Sequence, residues 1–122
     1  MDLGLKGKNT IITGGSGGIG RGLVLSFAEE GANVVIATRD GKKGQEVADA
    51  AKDFPGDVIV VPTDVTNEDA VEEMTAKAES TFGPLDVLVN NAGGVFYPKP
   101  FLEKSREDAE WEVNLNIWGV YN

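Results

Sequence analysis

Short apolar runs alternate along the chain with longer segments in which apolar residues recur at helical spacing. Four apolar runs predict strands, at residues 9–13, 33–38, 57–61 and 85–90. The segments between and after them predict helices, at residues 19–30, 40–53, 66–82 and from 105 to the last residue. Strands that alternate with helices form parallel sheets with right-handed crossover connections. The pattern therefore predicts an α/β fold with a doubly wound parallel sheet.

The predicted helices also carry recognisable ends and apolar stripes. Thr66 with Asp69 predicts a capping box at the start of the third helix, and Ser105 with Asp108 predicts a start for the last. Two stripes predict the faces that pack on the sheet: Ile19, Leu23, Phe27 and Ala28 in the first helix, and Val71, Met74, Ala78 and Phe82 in the third.

Charge and composition exclude several classes of function. The 122 residues hold 20 acidic and 11 basic side chains, and the net charge of −9 opposes binding to nucleic acid or to anionic membranes. No apolar run approaches the roughly 20 residues of a membrane-spanning helix, and the first residues lack the apolar core of a signal peptide. Cys and His are absent, which excludes disulfides, thiolate metal sites and catalysis by histidine. We expect a cytoplasmic protein.

Glycines gather where the first strand meets the first helix, and residues 13–20 read Thr-Gly-Gly-Ser-Gly-Gly-Ile-Gly. A helix N-terminus presents unpaired N–H groups and a partial positive charge, and glycine lets the backbone approach a diphosphate closely. The segment is not a P-loop, because Arg21 and Gly22 replace the required Lys and Ser/Thr. The turn predicts a diphosphate site. The alternative is a turn that serves only helix–strand packing.

Four motifs occur in order along the chain: Thr13-Gly14 with Gly18-Ile19-Gly20, then Asp64-Val65, then Asn90-Asn91-Ala92-Gly93, then Leu115-Asn116-Ile117-Trp118-Gly119. Together they resemble the motifs of the classical short-chain dehydrogenase/reductase family, and the chain is similar to the family's N-terminal half. The resemblance implies that residues 1–122 form a Rossmann-type dinucleotide-binding domain with strand order 3-2-1-4, which a C-terminal half would complete.

The resemblance also implies an activity and a set of site residues. The activity is NAD(P)-dependent oxidoreduction, in which a hydride moves between a nicotinamide and a carbonyl or alcohol substrate. Asn116 is the one catalytic residue implied, as part of a proton relay; the alternative is a buried asparagine bonded only to helix backbone. The cofactor-binding residues implied are Gly14, Ser16, Gly17, Gly18, Ile19, Gly20, Thr38, Arg39, Asp64, Val65, Asn91, Ala92 and Gly93.

The family's Tyr-x-x-x-Lys pair is absent from these residues. We therefore expect the chain alone to bind nucleotide without turnover, and expect a C-terminal half as its first partner. The family also implies assembly into a homo-tetramer or dimer. Two other functions stay open: a nucleotide-binding module without catalysis, and an epimerase or dehydratase on the same fold. Phe96, Tyr97 and Phe101 are candidates for the mouth of an apolar substrate pocket.

The end of the second strand bears on which dinucleotide binds. Thr38 is neutral where an acidic residue would hold the ribose of NAD, and Arg39 can pair with the 2′-phosphate of NADP. The neutral Thr38 and the cationic Arg39 together favour NADP over NAD. The alternative is that Asp40, which is adjacent, takes the acidic role and selects NAD. Asp64 has an alternative as a turn or helix-capping residue.

Overall fold

A four-stranded parallel sheet forms the centre of the molecule, in a computed structural model that describes residues 1–95 and 98–122. The strands are β1 (Asn9–Thr13), β2 (Asn33–Thr38), β3 (Val58–Pro62) and β4 (Val87–Val89). Their order is β3-β2-β1-β4, and every pair is parallel. This confirms the predicted doubly wound α/β fold and the strand order 3-2-1-4.

The described helices are α1 (Gly18–Glu29), α2 (Gly41–Ala50), α3 (Glu68–Phe82), a 3-10 helix (Phe101–Glu103), α4 (Arg106–Val113), a π-helical turn (Asn114–Trp118) and α5 (Gly119–Tyr121). None of them is long and apolar enough to cross a membrane. The elements α4, the π-helical turn and α5 follow one another without a break.

The two faces of the sheet hold separate apolar clusters. On one face, Ile12, Val34 and Ile36 pack with residues of α1 and α2. On the other, alternate strand residues pack with Met74 and Ala78 of α3. Because neighbouring residues of a strand point to opposite faces, strands covered on both sides are apolar throughout. This explains why β1 and β2 coincide with the predicted runs.

The exposure of Ile19 corrects the predicted stripe of α1. Its side chain is 80% exposed, and the residues of α1 that are buried against the sheet are Gly20, Val24 and Ala28. These three are spaced four apart, so they share one face of the helix, and Ile19 lies beside that face. The stripe predicted for α3 is correct, since Met74 and Ala78 belong to the second cluster and Val71 and Phe82 pack against it.

The cap of α3 also differs from the prediction. Asn67 is the N-cap residue, and its Oδ1 accepts a hydrogen bond from the Ala70 amide at 3.1 Å. Thr66 does not cap the helix, because its hydroxyl donates to Asp64 Oδ1 at 2.7 Å. Asn67 therefore satisfies the orphan amide in its place.

Several element ends differ from the predicted limits. Helix α2 ends at Ala50 rather than Asp53, and β3 runs one residue later than predicted. Strand β4 keeps only three residues, because its register with β1 covers Val87–Val89 alone. The predicted start of α4 is correct: Ser105 and Asp108 form a complete capping box.

Candidate functional site

The carboxyl ends of the strands open onto a cleft of about 580 Å³. Ligands of doubly wound sheets bind at this end of the strands. All the predicted cofactor-binding residues except Gly18 line the cleft.

The prediction missed five lining residues: Ala37, Asp40, Lys43, Thr63 and Leu115. Asp40 is predicted as the start of the second helix and as an acidic alternative to Arg39, and its position two residues beyond β2 is the available signal. Lys43 lies in the first turn of α2, a placement that no short motif marks.

Close packing sets the path of the glycine-rich turn between β1 and α1. The Gly14 amide donates to the Ala37 carbonyl at 2.8 Å, which ties the turn to β2. A Cβ on Gly20 would overlap the Gly14 carbonyl oxygen and would lie 2.6 Å from Asn91 Nδ2. Gly20 is therefore required by the fold itself. Gly18 begins α1 with a φ of +54°, a conformation that favours glycine, so it shapes the turn without lining the cleft.

The start of α1 suits an anion. Its N-cap is Gly17, no side chain caps the helix, and the first turn contains no acidic residue. The amides of this turn and the helix dipole are therefore available to a negatively charged group in the cleft. Gly17 itself has an extended φ of −167°, and a Cβ on it would meet no protein atom within 4 Å. The fold does not require glycine here, whereas close approach of a ligand would.

A hydrogen-bonded pair joins the glycine-rich turn to the end of β2. The Thr38 hydroxyl donates to Ser16 Oγ at 2.9 Å and accepts from the Asp40 amide at 3.3 Å. Asp40 in turn caps α2, because its Oδ1 accepts from the Lys43 amide at 3.0 Å. Thr38 thus aligns the turn with β2, and the Asp40 carboxylate is engaged by the backbone of α2.

Asn91 connects the ends of β1 and β4. Its Nδ2 donates to the carbonyl oxygens of Thr13 at 3.0 Å and Gly14 at 3.1 Å. The Thr13 hydroxyl accepts from the amides of Asn91 and Ala92, both at 3.0 Å. These bonds replace the strand ladder where the chain leaves β4. Asn91 therefore lines the cleft and also fixes the position of the glycine-rich turn beside it.

Asp64 stabilises the turn that follows β3, which is the alternative predicted for it from the sequence. Its Oδ1 accepts from both the hydroxyl and the amide of Thr66, at 2.7 and 2.9 Å. The hydroxyl hydrogen bond has the largest effect on the pKa of Asp64 and lowers it, burial opposes this, and the Thr66 amide and the charge of Arg39 lower it further. The carboxylate is consequently charged at neutral pH, and it also lines the cleft beside Val65.

Asn116 lies on the π-helical turn and outside the residues that line the cleft. Its Oδ1 accepts from the Gly94 amide at 2.9 Å, and its Nδ2 donates to the Gly94 carbonyl at 2.7 Å and the Glu112 carbonyl at 2.8 Å. The alternative of a buried asparagine bonded only to its helix is wrong, because the residue is exposed and also holds Gly94. A Cβ on Gly93, which lines the cleft, would lie 2.8 Å from Asn116 Oδ1.

The π-helical turn is closed by the Gly119 amide, which donates to the carbonyl of Asn114 five residues earlier. Such turns widen a helix locally and occur often at functional sites. Of the aromatic residues predicted at a pocket mouth, Phe96 and Tyr97 lie outside the described residues. Phe101 is 86% exposed and does not line the cleft.

The family model for short chain dehydrogenases matches residues 8–122 of the chain. The chain belongs to the short-chain dehydrogenase family. It is 39% identical over 117 residues to an uncharacterized oxidoreductase of Thermotoga maritima, which covers 96% of this chain and 45% of that protein. It is also 39% identical to the L-fucose dehydrogenase of Bos taurus, covering 94% of this chain and 41% of the relative. The chain spans about half the length of the curated relatives it matches.

Solved structures of other short-chain dehydrogenases share this fold. A 3-ketoacyl-(acyl-carrier-protein) reductase from Brucella melitensis, complexed with NADH, superimposes with a TM-score of 0.89 at 37% identity and covers 96% of this chain and 47% of its own. A short-chain type dehydrogenase/reductase from Mycobacterium marinum gives a TM-score of 0.91 at 35% identity, covering 96% of this chain and 46% of its own.

Proposed function

We propose that the protein is an NAD(P)-dependent oxidoreductase of the short-chain dehydrogenase type, and that this chain holds the dinucleotide. The observation that carries the proposal is the uncapped N-terminus of α1 facing the cleft, where Gly17 is not required by the fold. The NADH found in the similar reductase structure supports the same choice of ligand. When bound, the nicotinamide supplies or accepts the hydride exchanged with a carbonyl or alcohol substrate.

The diphosphate would lie against the first turn of α1. The amides of this turn would donate to the phosphate oxygens, and the helix dipole would favour their charge. The Ser16 oxygen accepts from Thr38, which leaves its own proton to donate to a phosphate. Gly14 and Gly20 keep the turn close to the sheet so that these donors converge.

The adenosine would lie beyond β2 and β3. Asp64 is charged and can accept from the adenine amino group, and the Val65 amide is the neighbouring donor. Two cationic side chains, Arg39 and Lys43, line the same end of the cleft. The Asp40 carboxylate, which could select NAD, has its Oδ1 engaged by the Lys43 amide at the start of α2. These charges favour the 2′-phosphate of NADP, and NAD is the alternative.

The nicotinamide would lie towards β4, at Asn91, Ala92 and Gly93, since the adenosine occupies the opposite end. Asn116 borders Gly93 and is the proposed member of the proton relay. The Tyr-x-x-x-Lys pair of the family is absent from these 122 residues, so we propose that the chain alone binds the dinucleotide without turnover. Assembly into an oligomer and a cytoplasmic location stay predictions.

The proposal is tested by titrating NADPH and NADH into the protein and by following nicotinamide absorbance with a panel of carbonyl and alcohol substrates. We expect binding of at least one dinucleotide, and hydride transfer only where the Tyr-x-x-x-Lys pair is also present. Binding without hydride transfer in a protein that has that pair would favour a nucleotide-binding module. A changed substrate with no net change in cofactor would indicate an epimerase or dehydratase.

The choice of cofactor is tested by Arg39→Ala. Loss of a charge-assisted contact with the 2′-phosphate removes about 1.5–3 kcal/mol, so we expect the affinity for NADPH to fall about 10- to 100-fold. The affinity for NADH should change by less than about twofold, because it lacks that phosphate. Lys42→Ala is the matched control, since Lys42 is an exposed cation of α2 that does not line the cleft. Equal losses for both cofactors would refute the assignment of Arg39.

A further inference from the structure

Three polar side chains of the last helical segment form a stripe along one face. Asp108 and Glu112 lie on α4, and Asn116 follows on the π-helical turn, each four residues after the last. Residues at this spacing are neighbours on a helix surface. We call Asp108, Glu112 and Asn116 the polar stripe. Each contacts a different described part of the chain between β4 and α4.

The first contact is the ion pair between Asp108 and Lys99. Lys99 Nζ lies 2.6 Å from Asp108 Oδ2, and the side chains are 31% and 8% exposed. The same oxygen accepts from the Ser105 amide at 3.0 Å, within the capping box of α4. The hydrogen bond from Lys99, followed by that from the Ser105 amide, lowers the pKa of Asp108, so the carboxylate is charged at neutral pH.

The second contact is the ion pair between Glu112 and Lys104, at 2.5 Å, in which each side chain is 20% exposed. Both stripe pairs are thus largely withdrawn from water. The ion pair between Arg106 and Glu110 of α4 differs, because these side chains are 91% and 62% exposed. An exposed pair contributes little, whereas removing one partner of a largely buried pair leaves a poorly solvated charge.

The third contact joins Asn116 to Gly94, next to the cleft. Asn116 holds both the amide and the carbonyl of Gly94, and its Nδ2 also donates to the Glu112 carbonyl. Glu112 therefore contacts Lys104 through its side chain and Asn116 through its backbone. Gly94 directly follows Gly93, which lines the cleft. The two ion pairs and the Asn116–Gly94 bonds are consecutive contacts of one helix face.

We propose that Asp108 and Glu112 are positioning residues: through Lys99 and Lys104 they hold residues 98–104 on α4 and so keep Asn116 and Gly93 in place at the nicotinamide end of the cleft. The inference rests on the proposed function, since it takes the β4 end as the nicotinamide end. Its physical basis is preorganisation, because a loosened helix face would have to be reordered each time the nicotinamide binds.

The test compares ligands that occupy the whole cleft with ligands that occupy only its adenosine end. NADPH is compared with 2′,5′-ADP, and NADH with ADP. In a Lys99→Met, Lys104→Met double variant we expect dinucleotide affinity to fall about tenfold and the ADP-type ligand to change by less than about twofold. The fluorescence of the bound reduced nicotinamide should shift towards that of the free cofactor. Arg106→Gln is the matched control, and it should leave both affinities unchanged.

Two further variants distinguish the loss of positioning from a general loss of folding. Lys99→Met combined with Asp108→Asn removes both charges of the first pair, while the asparagine oxygen can still accept from the Ser105 amide. Lys99→Arg keeps the ion pair. We expect the first to weaken dinucleotide binding selectively and the second to bind as the unmodified protein does.

Three outcomes would overturn the inference. Unchanged dinucleotide affinity in the double variant would show that the ion pairs do not position the site. Parallel losses for dinucleotides and ADP-type ligands in all variants would show a general structural role. Failure of the unmodified protein to bind any of the four ligands would refute the proposed function and this inference together.

Discussion

Gly17→Ala will weaken dinucleotide binding about 100-fold and change the free energy of unfolding by less than about 1 kcal/mol. The φ of Gly17 is −167°, an extended conformation open to any residue, and a Cβ there would contact no protein atom within 4 Å. The fold therefore tolerates alanine. A diphosphate bound by the amides at the start of α1 would not, because the added methyl group would hold it away from donors that act only at short range.

Calorimetric titration and urea unfolding measure the two quantities on the same preparation. Gly22→Ala is the matched control: Gly22 is exposed within α1, and a Cβ there also meets nothing. It should stabilise the protein by about 0.5–1 kcal/mol through helix propensity and leave binding unchanged. Normal binding by the Gly17 variant would contradict the diphosphate site, and a large loss of stability would mean that the glycine serves the fold.

Asn91→Asp will destabilise the protein by about 3 kcal/mol near pH 7. The substitution keeps the shape of the side chain but replaces the donor that serves the Thr13 and Gly14 carbonyls. Two hydrogen bonds are lost at about 1 kcal/mol each, and a half-buried carboxylate then faces two carbonyl oxygens, which adds a further penalty. The effect would arise where β1 and β4 separate.

Unfolding by urea, relative to the unmodified protein at each pH, measures this loss. The facing carbonyls should raise the pKa of the introduced carboxyl in the folded state, so the deficit should be smallest at and below the unfolded value of about 3.9, grow as pH rises, and level off above the folded pKa. Asn90→Asp should stay within about 0.5 kcal/mol, because Asn90 is an exposed neighbour. A pH-independent deficit, or an equal one in the Asn90 variant, would contradict the role assigned to the Asn91 amide.

The fold prediction is most accurate for the elements that are buried on both faces. Strands β1 and β2 were predicted residue for residue, because strands covered on both faces are continuous apolar runs. Strand β4 was predicted too long, since its register with β1 covers only Val87–Val89. The spacing of Ile19 predicts a core position, but its side chain is exposed, because Gly20, Val24 and Ala28 form the face of α1 that meets the sheet.

The candidate site was predicted in its motifs and less well in its details. The glycine-rich turn, Asp64-Val65 and Asn91 to Gly93 all reach the cleft, because the carboxyl ends of parallel strands meet at one edge. Lys43 was missed, since it lies within a helix whose orientation a motif does not give. The spacing of Thr66 and Asp69 predicts a helix cap, but the Thr66 hydroxyl donates to Asp64 instead.

The amino-acid sequence by itself determined the order of strands and helices, the family, and the motifs that reach the cleft. These follow from local periodicity and from motifs a few residues long. Only the tertiary structure distinguished Gly20, which the fold requires, from Gly17, which it does not. It alone brought Lys99 and Lys104 onto the polar stripe of the last helix. Such contacts depend on how separate elements are placed in space, and side-chain patterns within one element do not encode that placement.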